Sequence, residues 1–344
     1  MLEKGPFMTK IRTCLFGLGH MGKNHLRVLQ EDSRYELVAV IDPVTDSLPA
    51  TAQAVPLYKH LPDDLAFELA VVAAPTELHY SLVTGLLQRN HHVFVEKPAA
   101  STQSQAEELV ALAQSKNLKL AVGNIERCNP VVGALRKVIG SGILGRLVHL
   151  NGLRAGGFPR NVKPGNNVIL DLGVHELDLF RMILGPLDIV HGIGHSTQMS
   201  SIYDAAEISV RSKQGVTGTV HVNWLTPQRM RSIRVTGSEG LCLVDYIQQT
   251  CEVFGNGLKS KDSIFASLPW QTDAQGLDTV QIPVVAKESL KEQLDQLHLY
   301  LSGKDHVLAI GAELIESVSL VEQAEKQVAS AHVLPFHDPQ SERR

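Results

Sequence analysis

The chain lacks most of the features that mark secreted, membrane-bound or nucleic-acid-binding proteins. It has only four cysteines in 344 residues, without C-x-x-C spacing, which argues against a disulfide framework or zinc site and predicts reduced core thiols. No uncharged apolar run approaches the ~20 residues of a membrane-spanning helix, and residues 1–7 show no hydrophobic region typical of a secretory signal. A net charge of −4 at pH 7 gives no basic field for nucleic acid or an acidic bilayer. We therefore expect a cytoplasmic protein that binds neither.

The length and composition are those of a globular protein with two domains. Apolar residues make up 44% of the chain and charged residues 20%, which is enough to bury a core. At ~150 residues per domain, 344 residues give two domains. We place the first domain at residues 9–125 and the second at residues 126–335, with a final helix that can pack back on the first domain.

The first half of the chain alternates short apolar runs with helical patterns. Strands are predicted at residues 11–16, 37–41, 70–74, 92–95 and 119–122, and helices at residues 20–31, 77–89 and 102–116. Runs rich in Val, Ile and Leu suit parallel strands buried on both faces. The alternation predicts an α/β Rossmann-type doubly wound parallel sheet, although residues 43–60 show no clear helical period.

The second half changes rhythm and predicts an α+β domain. Helices are predicted at residues 130–139 and 170–184, a strand at residues 146–153, and further strands at residues 189–195, 207–211, 218–223, 232–236 and 241–246. Successive strands without intervening helices predict an open, mostly antiparallel sheet with helices on one face. Two more helices, at residues 290–302 and 310–331, follow.

A glycine-rich turn joins the first strand to the first helix. Gly17, Gly19 and Gly22 form G-x-G-x-x-G around His20 and Met21. The first glycine permits the tight turn, the second lets a pyrophosphate approach the backbone, and the third lets the helix pack close to the strand. The helix N-terminus supplies N–H donors and partial positive charge. The motif predicts a dinucleotide site, and a glycine turn without a ligand is the alternative.

Asp42 ends the second strand, twenty residues after Gly22. A carboxylate at this place accepts hydrogen bonds from an adenine-ribose diol and repels a 2′-phosphate. No Arg or Lys follows it directly, so the sequence favours NAD(H) over NADP(H). A turn-forming Asp-Pro pair is the alternative.

Two further strands end in residues suited to a cofactor or a reaction. Ala74, Pro75 and Thr76 follow one strand, where small residues let a cofactor lie against the backbone, or where Thr76 acts as a helix N-cap. Glu96 and Lys97 place two charges at the end of a buried strand, which is costly unless they are paired or used. An exposed charge pair is the alternative. Pro98 can adopt a cis peptide bond.

A second reactive set opens the long helix of the second half. Asp171 and His175 are four residues apart and share a helix face, and Asp178 follows one turn later. Histidine is suited to collect a proton near neutral pH, and a nearby carboxylate can orient it. In the alternatives, Asp171 only interacts favourably with the helix dipole, His175 is a core residue, or the set binds a metal. Glu176 points elsewhere and so adds no ligand to such a metal site. The other histidines show no ligand spacing and are expected at the surface or in packing; they include His20, His25, His79, His91, His92, His195 and His221.

In combination, the glycine turn, Glu96-Lys97-Pro98 and Asp171-x-x-x-His175-x-x-Asp178 resemble the Gfo/Idh/MocA family of sugar and cyclitol oxidoreductases. The resemblance covers residues 11–331 and implies an NAD-dependent CH–OH dehydrogenase. It implies catalytic roles for Lys97, His175 and Asp171, no metal, and a second domain whose sheet carries substrate and oligomer contacts.

Residues 123–130, 223–227 and 235–237 resemble the branch that contains UDP-N-acetylglucosamine 3-dehydrogenases. This implies oxidation at C3 of a UDP-sugar to the 3-keto sugar, for a partner aminotransferase in lipid A-type pathways. Glu126, Arg127 and Asn129 are then expected to bind substrate with Lys97, although Asn129 also suits a helix N-cap before Pro130. Cys128 stands where the branch usually has an aromatic residue. The alternatives are another sugar, a sugar acid or an inositol as substrate, or a non-catalytic NAD-binding sensor; a homodimer or homotetramer is expected.

Overall fold

The computed structural model describes residues 10–159, 162, 165–198, 202–261 and 263–330. The chain divides into two compact units, one formed by residues up to Cys128 together with Glu288–Val318, the other by Asn129–Lys287 and the residues from Ser319 onward. Our predictions for residues 1–7, for the outer domain limits at 9 and 335, and for the last residue of the final helix, 331, lie outside the described residues.

The first unit contains a six-stranded parallel sheet of the doubly wound type, as predicted. Its strands are β1 (Ile11–Phe16), β2 (Tyr35–Ile41), β3 (Leu57–Tyr58), β4 (Leu69–Val72), β5 (His92–Glu96) and β6 (Leu120–Gly123), in the order β3-β2-β1-β4-β5-β6. Its helices are α1 (His20–Glu31), α2 (Thr76–Gln88), α3 (Gln103–Ser115) and α6 (Ser289–Leu301). Every residue of β4 is buried, which explains why the strand is apolar throughout rather than alternating.

The order of the strands reverses between β1 and β4. Ligands of open parallel sheets bind beyond the carboxyl ends of the strands at such a reversal. The glycine-rich turn follows β1, Ala74 lies just beyond β4, and Lys97 follows β5. The topology therefore brings three of the predicted cofactor segments to one edge of the sheet.

The second unit contains a nine-stranded, mostly antiparallel sheet, again as predicted. Its strands are β7 (Leu147–Ala155), β8 (Leu187–His195), β9 (Ala205–Ser212), β10 (Thr217–Asn223), β11 (Met230–Gly237), β12 (Leu241–Asp245), β13 (Thr250–Asn256), β14 (Gln271–Thr272) and β15 (Leu277–Gln281), in the order β14-β15-β13-β12-β11-β7-β10-β9-β8. Within the described part of this second sheet, only the β7–β10 pair is parallel. Helices α4 (Pro130–Gly140), α5 (Val174–Leu184) and the second half of α7 (Gly311–Ser330) belong to this unit.

The long helix predicted at residues 170–184 is not α-helical throughout. Residues Ile169–Gly173 form a π-helical turn, and α5 begins at Val174. The side-chain oxygen of Asn167 accepts the N–H groups of Ile169 and Leu170 at 2.9 and 3.1 Å, and so starts the turn. Turns of this kind are common at functional sites, and this one carries Asp171.

Three smaller observations complete the fold. Residues 43–60 form a short 3-10 turn, Ala50–Ala52, followed by β3. All four cysteines are buried thiols, as predicted. Among the described residues, no helix combines the length and the apolar character needed to cross a bilayer.

Candidate active site

Two of the three glycines after β1 are required by the packing of the chain itself. Gly17 has a φ of +93°, and a Cβ there would lie 2.6 Å from the carbonyl oxygen of Ala73. A Cβ on Gly22 would lie 2.1 Å from the carbonyl oxygen of Gly17. A Cβ on Gly19, in contrast, would meet no atom within 4 Å. The space over Gly19 is what a ligand approaching the backbone needs.

The N-terminus of α1 offers the charge and the donors that a pyrophosphate requires. The first turn carries no acidic residue, and Gly19 at the N-cap makes no side-chain hydrogen bond. The N–H groups of His20, Met21 and Gly22 have no intrahelical carbonyl to bond, because they lie in the first turn. The site therefore fits a dinucleotide, whose pyrophosphate these N–H groups and the helix dipole would hold.

Asp42 is joined to the glycine turn by a direct hydrogen bond. Its Oδ2 accepts the N–H of Leu18 at 2.7 Å, and its Oδ1 accepts the N–H groups of Val44 at 2.9 Å and Thr45 at 2.7 Å. Burial raises the pKa of the Asp42 carboxyl, but these backbone bonds outweigh it and hold the pKa below its usual value. The ionised carboxylate shapes the turn, and Oδ2 has a further lone pair with which to accept a ribose hydroxyl.

The segment after β4 is tied to the segment after β5 by a buried histidine. His79 lies in α2, where its Nε2 bonds the Ala74 carbonyl at 2.8 Å and its Nδ1 bonds the Pro98 carbonyl at 2.7 Å. The N-cap of α2 is Pro75, without a side-chain cap bond. The N-cap alternative for Thr76 is thus wrong, because α2 begins at Thr76 itself.

Glu96 is not part of an exposed charge pair. It is only 7% exposed, and its Oε1 lies 2.6 Å from Nε2 of His25, a fully buried residue of α1. Its Oε2 accepts the backbone N–H of Lys97 at 3.3 Å. The carboxylate thus connects the helix that follows the glycine turn to the backbone of Lys97. The Lys97–Pro98 peptide bond is cis, and a cofactor contact of Glu96 itself stays a prediction.

The predicted substrate residues Glu126 and Arg127 are both buried in a short 3-10 turn after β6. Arg127 pairs with Glu313 and donates to the carbonyl oxygen of Val307 at 3.4 Å. It therefore links β6 to the returning segment Glu288–Val318 of the first unit. A contact of either side chain with substrate stays a prediction.

Asn129 is the N-cap of α4, which was the alternative to the predicted substrate contact. Its Oδ1 accepts the N–H of Val131 at 3.2 Å, with Pro130 as the first residue of α4. The same oxygen also accepts the side-chain amide of Gln249 at 2.9 Å. These bonds fix the amide, and its substrate contact stays a prediction.

The second reactive set lies in the second unit, on the π-helical turn and α5. Asp171 and His175 are half-buried, whereas Asp178 is only 2% exposed. Oδ2 of Asp171 lies 3.2 Å from Nε1 of Trp224. Glu176, expected to point elsewhere, is fully buried, and Nε of Arg154 donates to it at 2.8 Å. Asp171 and His175 are thus accessible to a reactant, whereas Asp178 is suited to a structural role.

Across the described part of the chain, no cluster of three or more His, Cys, Asp or Glu side chains is arranged to hold a metal ion. Sequence patterns did not reveal His25, His79 or Trp224 as site residues. The buried histidines lie on helices without any ligand spacing; His25 and His79 pack in the interior, and each also makes buried hydrogen bonds. Their partners are set by the packing of helices on the sheet, which no local pattern records.

The fold and the cofactor segment define an oxidoreductase with an NAD-binding Rossmann domain. The oxidoreductase family model with this fold, GFO_IDH_MocA, matches residues 11–124, and the GFO/IDH/MocA C-terminal domain matches residues 132–242. The chain belongs to the Gfo/Idh/MocA family of NAD-dependent oxidoreductases.

Relatives within the family differ in their named substrates. UDP-N-acetylglucosamine 3-dehydrogenase of Acidithiobacillus ferrooxidans is 25% identical over 73% of this chain and 79% of its own. Its crystal structure superposes with a TM-score of 0.78, covering 93% of this chain and 98% of that one at 20% identity. Inositol 2-dehydrogenase 2 of Saccharopolyspora erythraea is 28% identical over 55% of this chain and 58% of its own. The chain spans little more than half the length of several curated relatives.

The WlbA dehydrogenase of Bordetella pertussis, solved with NADH and UDP-GlcNAcA, superposes with a TM-score of 0.75 and 21% identity. The superposition covers 96% of this chain and 100% of the WlbA chain. At this level of identity, the likeness establishes the fold.

Proposed function

We propose that the protein oxidises a secondary hydroxyl of a nucleotide-linked sugar, most simply C3 of UDP-N-acetylglucosamine, and passes the hydride to NAD⁺. The observation that carries the proposal is the placement of Lys97 directly beyond β5, on the same sheet edge as the glycine turn. The named activity of the relative that is 25% identical over 73% of this chain supports the substrate.

Bound NAD⁺ supplies the hydride acceptor, C4 of the nicotinamide ring. The substrate loses a hydride from carbon and a proton from oxygen, so that the secondary alcohol becomes a ketone. Nε2 or Nδ1 of His175 takes the proton as general base, a contribution of roughly 10²–10⁴ in rate. The Lys97 ammonium stabilises the negative charge that develops on the same oxygen. Asp171 orients the imidazole and favours its protonated form.

The chain's own residues also favour NAD⁺ over NADP⁺. Asp42 carries a carboxylate at neutral pH, and backbone N–H groups lower the pKa of its carboxyl further. An anion at that place attracts a ribose diol through hydrogen bonds and repels a phosphate.

We also propose a homodimer or homotetramer, with a partner aminotransferase that consumes the keto sugar. Half-buried apolar side chains of the second unit's sheet, Leu241, Leu243, Phe254 and Leu277, line an open cavity of about 460 Å³. None of the proposed site residues lines it. Leaving such a surface in water is costly, which favours a second copy of the chain as its cover.

The test is a substrate panel followed by the absorbance of the reduced cofactor. The protein is mixed with NAD⁺ and, separately, with UDP-N-acetylglucosamine, UDP-sugar acids, free hexoses and inositols. We expect NADH formation with UDP-N-acetylglucosamine at a kcat/KM at least tenfold above every free sugar. Faster turnover of an inositol, supported by the inositol dehydrogenase relative, would replace the substrate assignment. Tight NAD⁺ binding without turnover of any member would favour the sensor.

A further inference from the structure

Trp224 is a buried indole whose ring position is fixed on several sides. It follows β10, is 2% exposed, and its backbone N–H donates to the carbonyl of Asp204 at 2.8 Å. Its ring meets the ring of Phe158 edge-on, with centroids 5.7 Å apart and planes at 74°. The next turn is closed by Asn223, whose Oδ1 accepts the N–H groups of Leu225 and Thr226 at 3.0 and 2.8 Å. The direction of the indole N–H is therefore set by the fold.

That N–H points at a carboxylate of the proposed site. Nε1 of Trp224 lies 3.2 Å from Oδ2 of Asp171. An indole nitrogen only donates and an ionised carboxylate only accepts, so the bond fixes one oxygen of Asp171. Packing alone could use any aromatic ring here, whereas this contact needs the N–H.

The backbone under Asp171 is held independently of the indole. The N–H of Asp171 donates to the carbonyl of Asn167 at 3.0 Å, and the side chain of Asn167 starts the π-helical turn. Nδ2 of Asn167 donates to Glu325 of α7 at 2.6 Å. With the backbone set from one side and the carboxylate oxygen from the other, Asp171 has little freedom to rotate.

We propose that Trp224 is a positioning residue, which holds the Asp171 carboxylate in the orientation that aligns His175, four residues further along the chain in α5. The inference rests on the proposed function for its kinetic consequence, but the contact itself is independent of it. Loss of the N–H removes the bond that fixes one carboxylate oxygen, and misplacement of a catalytic group by about 1 Å can cost 10²-fold in rate.

The contact is tested by the indole resonances of the full-length protein. The chain has two tryptophans, Trp224 and Trp270, so ¹⁵N-indole labelling gives two N–H signals, which Trp224→Phe and Trp270→Phe assign. Trp270 is the matched control, because its Nε1 donates to the Phe265 carbonyl at 3.0 Å. We expect Asp171→Ala to shift the Trp224 signal and to leave the Trp270 signal in place. A Trp224 signal that does not move overturns the contact.

The positioning role is tested by kinetics on the best substrate of the panel. We expect Trp224→Phe to lower kcat about tenfold to a hundredfold while leaving the Kd for NAD⁺ unchanged, and Trp270→Phe to keep the wild-type kcat. Replacing Trp224 by 3-benzothienylalanine, which keeps the ring shape and lacks the N–H, should lower kcat equally. The benzothienyl variant tests the positioning role even if Trp224→Phe does not fold. Wild-type kcat in the benzothienyl variant overturns the role. If the wild type turns over no sugar, the proposed function fails, and the indole signals still decide the contact.

Discussion

His25 shows how one buried side chain supports the position of a reactive one. Its imidazole is fully buried and bonds the Glu96 carboxylate, which in turn accepts the Lys97 backbone N–H. A buried carboxylate is stable in a folded protein only when it has partners of this kind. The pair therefore links α1, the helix that follows the glycine turn, to the end of β5, where Lys97 follows.

We expect His25→Leu to lower the free energy of unfolding by about 3–5 kcal/mol, because it removes one partner of a buried charge. His25→Gln places an amide N–H near the position of the imidazole Nε2, and so should retain most of that stability. Urea unfolding of the two variants and the wild type measures the difference. Equal stability of the leucine variant and the wild type would contradict the role of the pair.

Asp42 combines two functions in one carboxylate, and its substitution should reveal both. We expect Asp42→Ala to raise the Kd for NAD⁺ about tenfold or more, because charged hydrogen bonds are worth about 1.5–3 kcal/mol each. The ratio of NADP⁺ to NAD⁺ affinity should rise with it. Fluorescence titration with both cofactors measures the ratio, and an unchanged preference would remove Asp42 from the assignment.

The same variant carries an acid-side signature in the cofactor-free protein. The pKa of Asp42 is lowered in the fold, so the carboxylate stabilises the protein above the unfolded pKa of about 3.9. That stabilisation is lost as the pH falls through the folded pKa. The stability gap between the wild type and Asp42→Ala should therefore narrow below about pH 4.

At the scale of the element, the glycine turn separates what the fold needs from what the cofactor needs. Gly22→Ala places a Cβ against the Gly17 carbonyl, and should reduce the melting temperature strongly. Gly19→Ala meets no atom and should cost less than about 1 kcal/mol of stability, an N-cap effect, yet weaken NAD⁺ at least tenfold. Thermal melts and NAD⁺ titrations of both variants check this. Wild-type NAD⁺ affinity in Gly19→Ala would place the pyrophosphate elsewhere.

The π-helical turn depends on Asn167, and Asn167 bonds Glu325 of α7. Burial raises the pKa of Glu325, although the Asn167 bond opposes it. A raised folded pKa means that the folded state favours the protonated acid. The protein therefore loses stability as the pH rises from the unfolded pKa of about 4.3 through the folded pKa.

Glu325→Gln keeps an acceptor for Asn167 and removes the charge. We expect its melting temperature to exceed that of the wild type at pH 7, with the difference shrinking toward pH 4, where the wild-type carboxyl becomes neutral. Glu325→Ala, which removes the acceptor, should melt lower than Glu325→Gln at every pH. Calorimetry across pH 4–8 measures these melting temperatures. A difference between Glu325→Gln and the wild type that is constant with pH would exclude a pKa of Glu325 raised by burial.

At the scale of the whole molecule, sequence patterns predict those parts of the fold that local periodicity encodes. The strand Ile11–Phe16 and the helix His20–Glu31 have the predicted bounds, because apolar spacing and the glycine turn mark both ends. Strands β13 and β15 were missed because polar residues, Glu252 in β13 and the buried Asp278 in β15, interrupt the apolar pattern of these strands.

The residues of the candidate site were likewise predictable only where local sequence patterns place them. The glycine turn, Asp42 and Lys97 follow strands, so the order of elements is enough to bring them to one sheet edge. The His25–Glu96 pair and the contact of Trp224 with Asp171 arise from bonds between residues distant in sequence. No single stretch of the chain contains the information needed to predict them.

The proposed reaction needs a lysine from the first unit and a histidine from the second to act on one hydroxyl oxygen, and this can be tested through their coupling. We expect Lys97→Ala and His175→Ala each to lower kcat/KM by about 10²–10⁴, while the Kd for NAD⁺ changes little. Residues that act as a unit are strongly non-additive, so the double variant should be no more than a few-fold slower than the slower single variant. Steady-state kinetics of the three variants on the best substrate, with NAD⁺ titrations as the control, measures the coupling. Losses that multiply in the double variant would mean that the two side chains act on separate steps, and the mechanism in which both act on one hydroxyl oxygen would be abandoned.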